Sequence, residues 1–539
     1  MRDLNDPARP WWLQAVFYQI YVRSFADGDG DGLGDLPGIT ARLPYLRDLG
    51  VDALWITPFY TSPQHDHGYD VADYTDVDPR FGTLTDADAL IAKTHDLDLR
   101  VVVDLVPNHT SSEHAWFQAA LAAGPGSRER ERYLFRDGRG PGGDEPPNNW
   151  LSVFGGPAWQ RVVEADGVPG QWYLHLFDST QPDLNWRDPE VGDAFEDILR
   201  FWLDRGVDGF RIDVAHSLFK EEGLRDQVRG DDEPRSAALT EDGGLEDVHE
   251  ADEPMWDQPE VHDVYRHWHR VLAEYPGDRM LVAEAWTKSA ESMARYVRGD
   301  ELSQSFNFAW LVAPWSAASF AEVVTSTFDA LRPVGAAPTW VLNNHDVMRT
   351  VTRYGGGERG LARARAAMLA MLALPGSAYV YQGEELGLAQ IDVAPEHRQD
   401  PVWLRSGVPG RDGCRIPIPW GGDRPPYDFG PGSGQPWLPQ PDDWAPLSVA
   451  AQTGDPGSTL ELYRRALALR RSHVEDAGAE VELLDLAPGA FAFTRGPLTV
   501  VVNCGTRTVE LPPGEVLVSS RPLDGSVLAP DDAVWLWRD

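Results

Sequence analysis

Cysteine, lysine and long hydrophobic runs are all scarce in this chain. Two cysteines, Cys414 and Cys504, cannot build a disulfide framework, and their spacing matches no zinc site, so both read as reduced thiols. Lysine occurs at three positions only, Lys93, Lys220 and Lys288, among 47 basic residues. Those 47 face 85 acidic residues, a formal charge of −38, which disfavours nucleic acid and anionic membranes as partners and suits a neutral one. No apolar stretch approaches the roughly 18 residues that a membrane-spanning helix needs. The start, Met1-Arg2-Asp3-Leu4-Asn5-Asp6-Pro7, carries no hydrophobic run ending in a small-residue cleavage site, so a cytoplasmic location is expected.

What is present is the composition of a large globular protein. The 539 residues are 42% apolar and 24% charged, and they exceed what one hydrophobic core organises, so two or three domains are expected. The 21 Trp, 16 Tyr and 19 Phe supply faces that stack on sugars as well as fill cores. Short apolar runs at 16–21, 53–57, 100–106, 209–213, 281–284, 305–308, 340–343 and 378–382 read as strands. Arg100-Val101-Val102-Val103-Asp104-Leu105-Val106 lacks polar alternation, the mark of a strand covered on both faces. Helical patterns lie between them, including 43–49, 85–96, 193–205, 261–275 and 360–374. Eight strands interleaved with helices predict an α/β fold, a (β/α)8 TIM barrel.

Two stretches interrupt the alternation. Residues 109–180, rich in Gly, Pro and Trp, are too long for a loop and read as an inserted subdomain after the third strand. Residues 217–260 form an acidic excursion, expected to be a mobile flap over the barrel mouth. After a helix at 458–473 the pattern turns to short β segments, so a C-terminal all-β domain, a small sandwich, is expected. The divisions are barrel at 1–108 and 181–473, insert at 109–180, and β domain at 474–539.

Catalytic groups of such a barrel sit at the C-terminal ends of its strands. Those ends carry Asp104, then Arg211 and Asp213, then Glu284, then His345 and Asp346. Arg211 and Asp213 are two apart and share a face of their strand, and an arginine beside a carboxylate keeps it ionised. Converging carboxylates of this kind supply a nucleophile, a general acid and a polar clamp, the chemistry of a retaining glycosidase.

Four segments then resemble the α-amylase superfamily of glycoside hydrolases: Asp104-Leu105-Val106-Pro107-Asn108-His109, Gly209-Phe210-Arg211-Ile212-Asp213, Glu284-Ala285-Trp286, and Asn343-Asn344-His345-Asp346. The resemblance covers essentially the whole chain. It implies Asp213 as nucleophile, Glu284 as general acid/base and Asp346 as the carboxylate that grips and distorts the sugar. Arg211, His109 and His345 would hold the nucleophile and the glucose hydroxyls. Three further segments resemble the α-glucosidase and oligo-1,6-glucosidase branch: Gln181-Pro182-Asp183-Leu184-Asn185, Asp66-His67-Gly68-Tyr69-Asp70, and Arg411-Asp412-Gly413-Cys414-Arg415-Ile416-Pro417. They imply a pocket closed around a terminal glucose by Asp66, Tyr69, Phe177 and Arg411, and therefore exo action. Val214, directly after the nucleophile, is the position that tracks linkage in that branch; strand alternation turns it away from the nucleophile, so its influence is expected through packing. Valine there accompanies α-1,6 cleavage, whereas Ala215-His216 resembles enzymes that take maltose, so cleavage of both linkages is expected.

Asp27-Gly28-Asp29-Gly30-Asp31-Gly32-Leu33-Gly34-Asp35 alternates carboxylates with glycine, a pattern that wraps a hard cation; it is not an EF-hand, because position twelve is Gly38. The resemblance implies Ca²⁺ held by Asp27, Asp29, Asp31, the Leu33 carbonyl and Asp35, in a structural role, with no cofactor needed for the chemistry. The expected substrate is a small oligosaccharide or α-glucoside, and the expected assembly a monomer or homodimer. The rival expectation is a glucosyl transferase or isomerase on the same scaffold, of the trehalose synthase or sucrose isomerase type. Asp213-Val214-Ala215-His216 differs from the Asp-Ala-Val-Pro run of trehalose synthases. A non-catalytic, transporter-associated relative would lack catalytic carboxylates and carry a membrane helix.

Overall fold

The computed structural model describes residues 10–228, 253–432 and 434–538. Its centre is a parallel sheet of eight strands: β1 (Val16–Ile20), β2 (Ala53–Ile56), β3 (Arg100–Leu105), β4 (Gly209–Ile212), β5 (Met280–Ala283), β6 (Gln304–Ser305), β7 (Thr339–Val341) and β8 (Ser377–Tyr381). The strand order is β6-β5-β4-β3-β2-β1-β8-β7. A single backbone bond, from Asn307 N–H to the Thr339 carbonyl at 3.0 Å, links the two ends of that order. The result is a TIM barrel.

Each strand is followed by a helix, and most of these helices start at a side-chain cap. Asp35 caps α1 (Leu36–Leu49) by accepting from Gly38 N–H, with Pro37 in the first turn, and Gly50 ends it at φ 100°, a left-handed conformation that glycine adopts without strain. Thr83 and Asp86 form a capping box on α2 (Leu84–Asp96). Asp188 caps α3 (Pro189–Asp204), and the ring follows with α4 (Val261–Leu272), α5 (Ala290–Tyr296), α6 (Ala317–Leu331), α7 (Gly357–Ala373) and α8 (Thr459–Leu469).

Strand alternation splits the core in two. Tyr18, Leu54, Val101, Val103, Phe210 and Leu281 pack outward against the helices. Phe17, Ala53, Trp55, Val102, Val282 and Tyr379 fill the barrel interior, where Phe17 and Tyr379 stack at 4.3 Å. Two residues further along β1 and β3, and midway along β4, the inward positions become Gln19, Asp104 and Arg211. The site therefore stands on an aromatic floor.

Within 109–180 a three-stranded antiparallel sheet (Phe135–Arg136, Pro169–Leu174, Trp159–Val163) gathers its own small core of Leu134, Trp150, Trp159, Leu174 and Leu176. A backbone bridge between His109 and Asp183 brings the ends of this stretch together. The excursion at 217–260 is described at its two flanks; residues 229–252 of the expected flap lie outside the described residues. The near flank is packed on the insert, with Asn148 Nδ2 donating to the Leu224 carbonyl and Trp150 Nε1 to that of Arg225. The C-terminal segment is all-β: a five-stranded antiparallel sheet and a separate two-stranded ribbon. Trp535 and Arg495 tie it to α7 through the carbonyls of Leu369 and Ala373.

Candidate active site

A cavity of about 600 Å³ opens where β4, β5 and β7 end, lined by Asp213, Glu284 and Asp346. Arg211 organises its floor. Nη1 donates to Asp213 Oδ1 at 2.5 Å and to Asp104 Oδ1 at 2.7 Å, and Nη2 lies 3.1 Å from Glu284 Oε2. Three carboxylates thus share the terminal nitrogens of one guanidinium and are close neighbours. Burial pushes Asp213 upward and Arg211 opposes it. Asp104, fully buried, is pushed up to about 6 by burial against the pull of Arg211, and also accepts from Trp55 Nε1 and Tyr69 OH.

Glu284 receives two hydrogen bonds that fix its carboxylate. Trp286 Nε1 donates to Oε1 at 3.0 Å, and Val214 N–H donates to Oε2 at 2.7 Å. The second contact corrects the expectation for Val214. β4 ends at Ile212, so strand alternation does not govern residue 214; its φ is +43° and it lines the cavity itself. Ser217 holds this turn, its N–H and hydroxyl both donating to the Val214 carbonyl.

The inner end of the cavity is a lattice of opposite charges. Arg411 donates to Asp400 at 2.7 Å, Asp66 at 2.8 Å and Asp346 at 3.1 Å, while Arg415 donates to Asp346 at 3.0 Å. Burial alone would raise Asp346, but the guanidiniums of Arg411 and Arg415 hold it below the usual carboxylate range, and they do the same for buried Asp400. At Asp66 burial prevails and pushes the group up to about 6. Burial keeps His345 neutral; Gln19 Nε2 lies 2.6 Å from its Nδ1, so Gln19 donates there and the ring proton on Nε2 faces Asp346 Oδ2 at 3.3 Å. Tyr69 stacks on that imidazole at 5.3 Å, and Phe177 lies 5.2 Å from His109.

Nine of the ten residues expected at the catalytic and sugar-binding positions therefore line one space, and the tenth, Arg211, lies beneath it. Asp400 and Arg415 were not singled out in the sequence. Arg415 stands inside the Arg411–Pro417 loop and could have been taken from it, whereas Asp400 has no local signal and reaches the site only through the fold. The outer cavity is largely apolar, with Val153, Phe154, Met348, Ile391 and Val408 in its walls.

The acidic loop is brought together in part. Carboxylate oxygens of Asp27, Asp29 and Asp35 lie within 4.8 Å of one another, the chemistry a hard divalent cation takes. Asp31 is outside that group, its Oδ1 accepting from Leu33 N–H at 2.7 Å. Gly30 and Gly32, at φ 91° and 95°, permit the curvature.

Comparisons with known proteins agree with this geometry. The alpha-amylase catalytic domain family matches residues 19–477. The chain belongs to that family. It is 40% identical over 510 residues to a probable alpha-glucosidase of Rhizobium meliloti (strain 1021), covering 93% of this chain and 90% of the relative. It is 34% identical over 540 residues to an oligo-1,6-glucosidase of Parageobacillus thermoglucosidasius, covering 93% and 91%. A crystal structure of an alpha-glucosyl transfer enzyme superposes with a TM-score of 0.86 at 38% identity, over 98% of this chain and all of that one. Among the described residues no helix is long and apolar enough to cross a membrane.

Proposed function

We propose that the chain is a retaining, exo-acting α-glucosidase that releases α-glucose from the non-reducing end of short α-glucosides. The observation that carries this reading is the ion-pair wall at the inner end of the cavity, where Arg411 and Arg415 are clamped on Asp66, Asp346 and Asp400, the kind of closure that suits a chain end. Asp213 attacks the anomeric carbon while Glu284 gives its proton to the glycosidic oxygen, and the leaving sugar departs as an alcohol. Glu284, now a carboxylate, takes a proton from water, which attacks the glucosyl ester and frees Asp213. Two inversions leave the product α-configured. Val214 N–H and Trp286 Nε1 aim Glu284 for both steps. Asp346, ionised between two guanidiniums, faces the positive charge that develops on the ring.

Among the described lining residues the two arginines are committed already, Arg398 to Asp392 and Arg411 to three aspartates, which favours a neutral glucoside over a phosphorylated one. Transfer of glucose to a sugar or other alcohol in place of water is the second reading, favoured by the likeness to a transfer enzyme. Both readings share every step as far as the glucosyl-enzyme. Maltose, isomaltose, sucrose and trehalose offered separately, with products followed by early-time proton NMR, decide. Free α-glucose as the first product is expected. β-Glucose would refute retention, and a new disaccharide as the main product would establish transfer.

The same reading assigns Ca²⁺ to Asp27, Asp29 and Asp35, with the Leu33 carbonyl as a further ligand, in a structural role. It places the enzyme in the cytoplasm as a monomer or homodimer, consistent with two free thiols.

A further inference from the structure

One of the three lysines in the chain, Lys220, is fully buried 7 residues beyond Asp213, against a pattern in which arginine serves nearly every cationic position. Its ammonium lies 2.8 Å from Asp183 Oδ2, donates to Asn108 Oδ1 at 2.6 Å and donates to the Ser217 carbonyl. Asn108 Nδ2 in turn donates to Asp183 Oδ2 at 3.1 Å and lies 3.1 Å from His109 Nδ1. These partners leave the Asn108 amide one orientation. An ammonium only donates, so it must meet the oxygen; an ionised carboxylate only accepts, so it must meet the nitrogen.

The consequence falls on His109, which lines the cavity and which burial lowers to about 4, keeping it neutral. Its Nε2 has two competing neighbours, the Tyr69 carbonyl at 3.1 Å and Gln181 Nε2 at 3.1 Å. Gln181 is itself oriented, because its Oε1 accepts from Asp178 N–H and its Nε2 donates to Asp66 Oδ2. Gln181 therefore favours an unprotonated Nε2, and Asn108 favours an unprotonated Nδ1. A proton on Nε2 leaves one mismatched contact, with Gln181. A proton on Nδ1 leaves two, donor on donor at Asn108 and acceptor on acceptor at Tyr69.

We propose that the buried Lys220–Asp183 ion pair is a positioning device that, through Asn108, holds His109 as the neutral imidazole with its proton on Nε2. The device joins three separate pieces of the chain: the end of the third strand's motif, the Gln181–Asn185 signature, and the turn after Asp213. Only its kinetic consequence rests on reading the cavity as a glucose pocket.

The test uses the full chain with ring-¹⁵N histidine, the His109 signals being assigned by their loss in His109→Gln. The wild type is expected to show Nδ1 unprotonated and Nε2 protonated; the reverse overturns the proposal, whether or not any variant folds. The decisive variant is Lys220→Met/Asp183→Asn, which removes both charges at once. The amide introduced at position 183 keeps an oxygen for Leu176 N–H, now bonded to Asp183 Oδ1 at 2.8 Å, and turns its nitrogen toward Asn108. Asn108 then flips, and the His109 proton moves to Nδ1. An unchanged tautomer in this folded variant overturns the proposal. With the tautomer inverted, KM for maltose should rise about tenfold while kcat changes less than about threefold, the loss of one positioned donor to bound sugar. Inversion without a change in KM would support the device and refute His109 as a sugar ligand, so the two ideas fail separately.

Discussion

Val214 is a β-branched residue in the left-handed region, a conformation that costs on the order of 1–3 kcal/mol and persists only where its surroundings enforce it. Here they do: its N–H is bonded to Glu284 and its carbonyl to Ser217 twice. The backbone aims the acid/base, and the side chain, 8% exposed, forms wall. Val214→Thr keeps that shape and adds a hydroxyl, so the ratio of kcat/KM for isomaltose to that for maltose should move toward maltose by about 1–2 kcal/mol, up to about thirty-fold. An unmoved ratio in paired kinetics places linkage preference elsewhere. Asp213→Asn should cost several powers of ten on every substrate. Glu284→Gln should cost about 10²–10⁴-fold on maltose and much less on α-glucosyl fluoride, whose leaving group needs no proton. Equal losses on the two would remove Glu284 from the acid role. The carboxylates themselves were legible in the sequence because they end apolar runs. The orientation of Val214 was not, because the strand stops one residue before Asp213 and no pattern marks where a strand stops.

The elements follow local signals wherever caps are written. The barrel strands read as apolar runs, and α3 begins at Pro189 because Asp188 precedes it. The sixth strand differs. Expected over 305–308, it ends at Ser305, because Asn307 accepts from Trp310 N–H and starts a short helix at Phe308. At the first turn of α1 one side chain has two duties. Asp35 Oδ1 accepts from Gly38 N–H, its Oδ2 accepts from Gly28 N–H, and burial raises its pKa, with the carboxylates of Asp29 and Asp27 adding to the rise. A cation bound at Asp27, Asp29 and Asp35 would lower that cost and stabilise the fold by linkage. Chelator should therefore lower Tm by several degrees, and Asp29→Ala should abolish that dependence while kcat stays unchanged at temperatures where the variant is folded. No shift with chelator, together with no metal on elemental analysis, would leave a solvated acidic turn.

Across the whole molecule, buried acids of two kinds set the pH dependence of stability. Burial pushes Asp66 and Asp104 up to about 6 and Glu384 up to about 7. Their unfolded values lie near 4, so the folded chain holds more protons between those limits; their contribution is full below about pH 4 and is lost as pH rises toward 7. Asp346 and Asp400, held low by Arg411 and Arg415 against burial, act the other way, stabilising above about pH 4 and losing that contribution as pH falls. The charge of −38 adds self-repulsion at high pH. Calorimetry across pH 3–9 should place the highest Tm between about pH 4 and 6. A Tm climbing steadily from pH 5 to 9 would contradict it.

The barrel is also a ring with a clasp. Seven neighbouring strand pairs are ladders, while β6 and β7 meet through one bond, Asn307 N–H to Thr339. Asp346 stands five residues past the end of β7, on the clasp side. Sugar held by Asp346 would thus load the very strand whose fastening is thinnest, and an inhibitor seated in the cavity should act as a latch. Hydrogen exchange at Asn307 is expected to be among the fastest of the barrel amides in the free enzyme and to slow when the cavity is filled, whereas exchange at the β2–β3 ladder stays as it was.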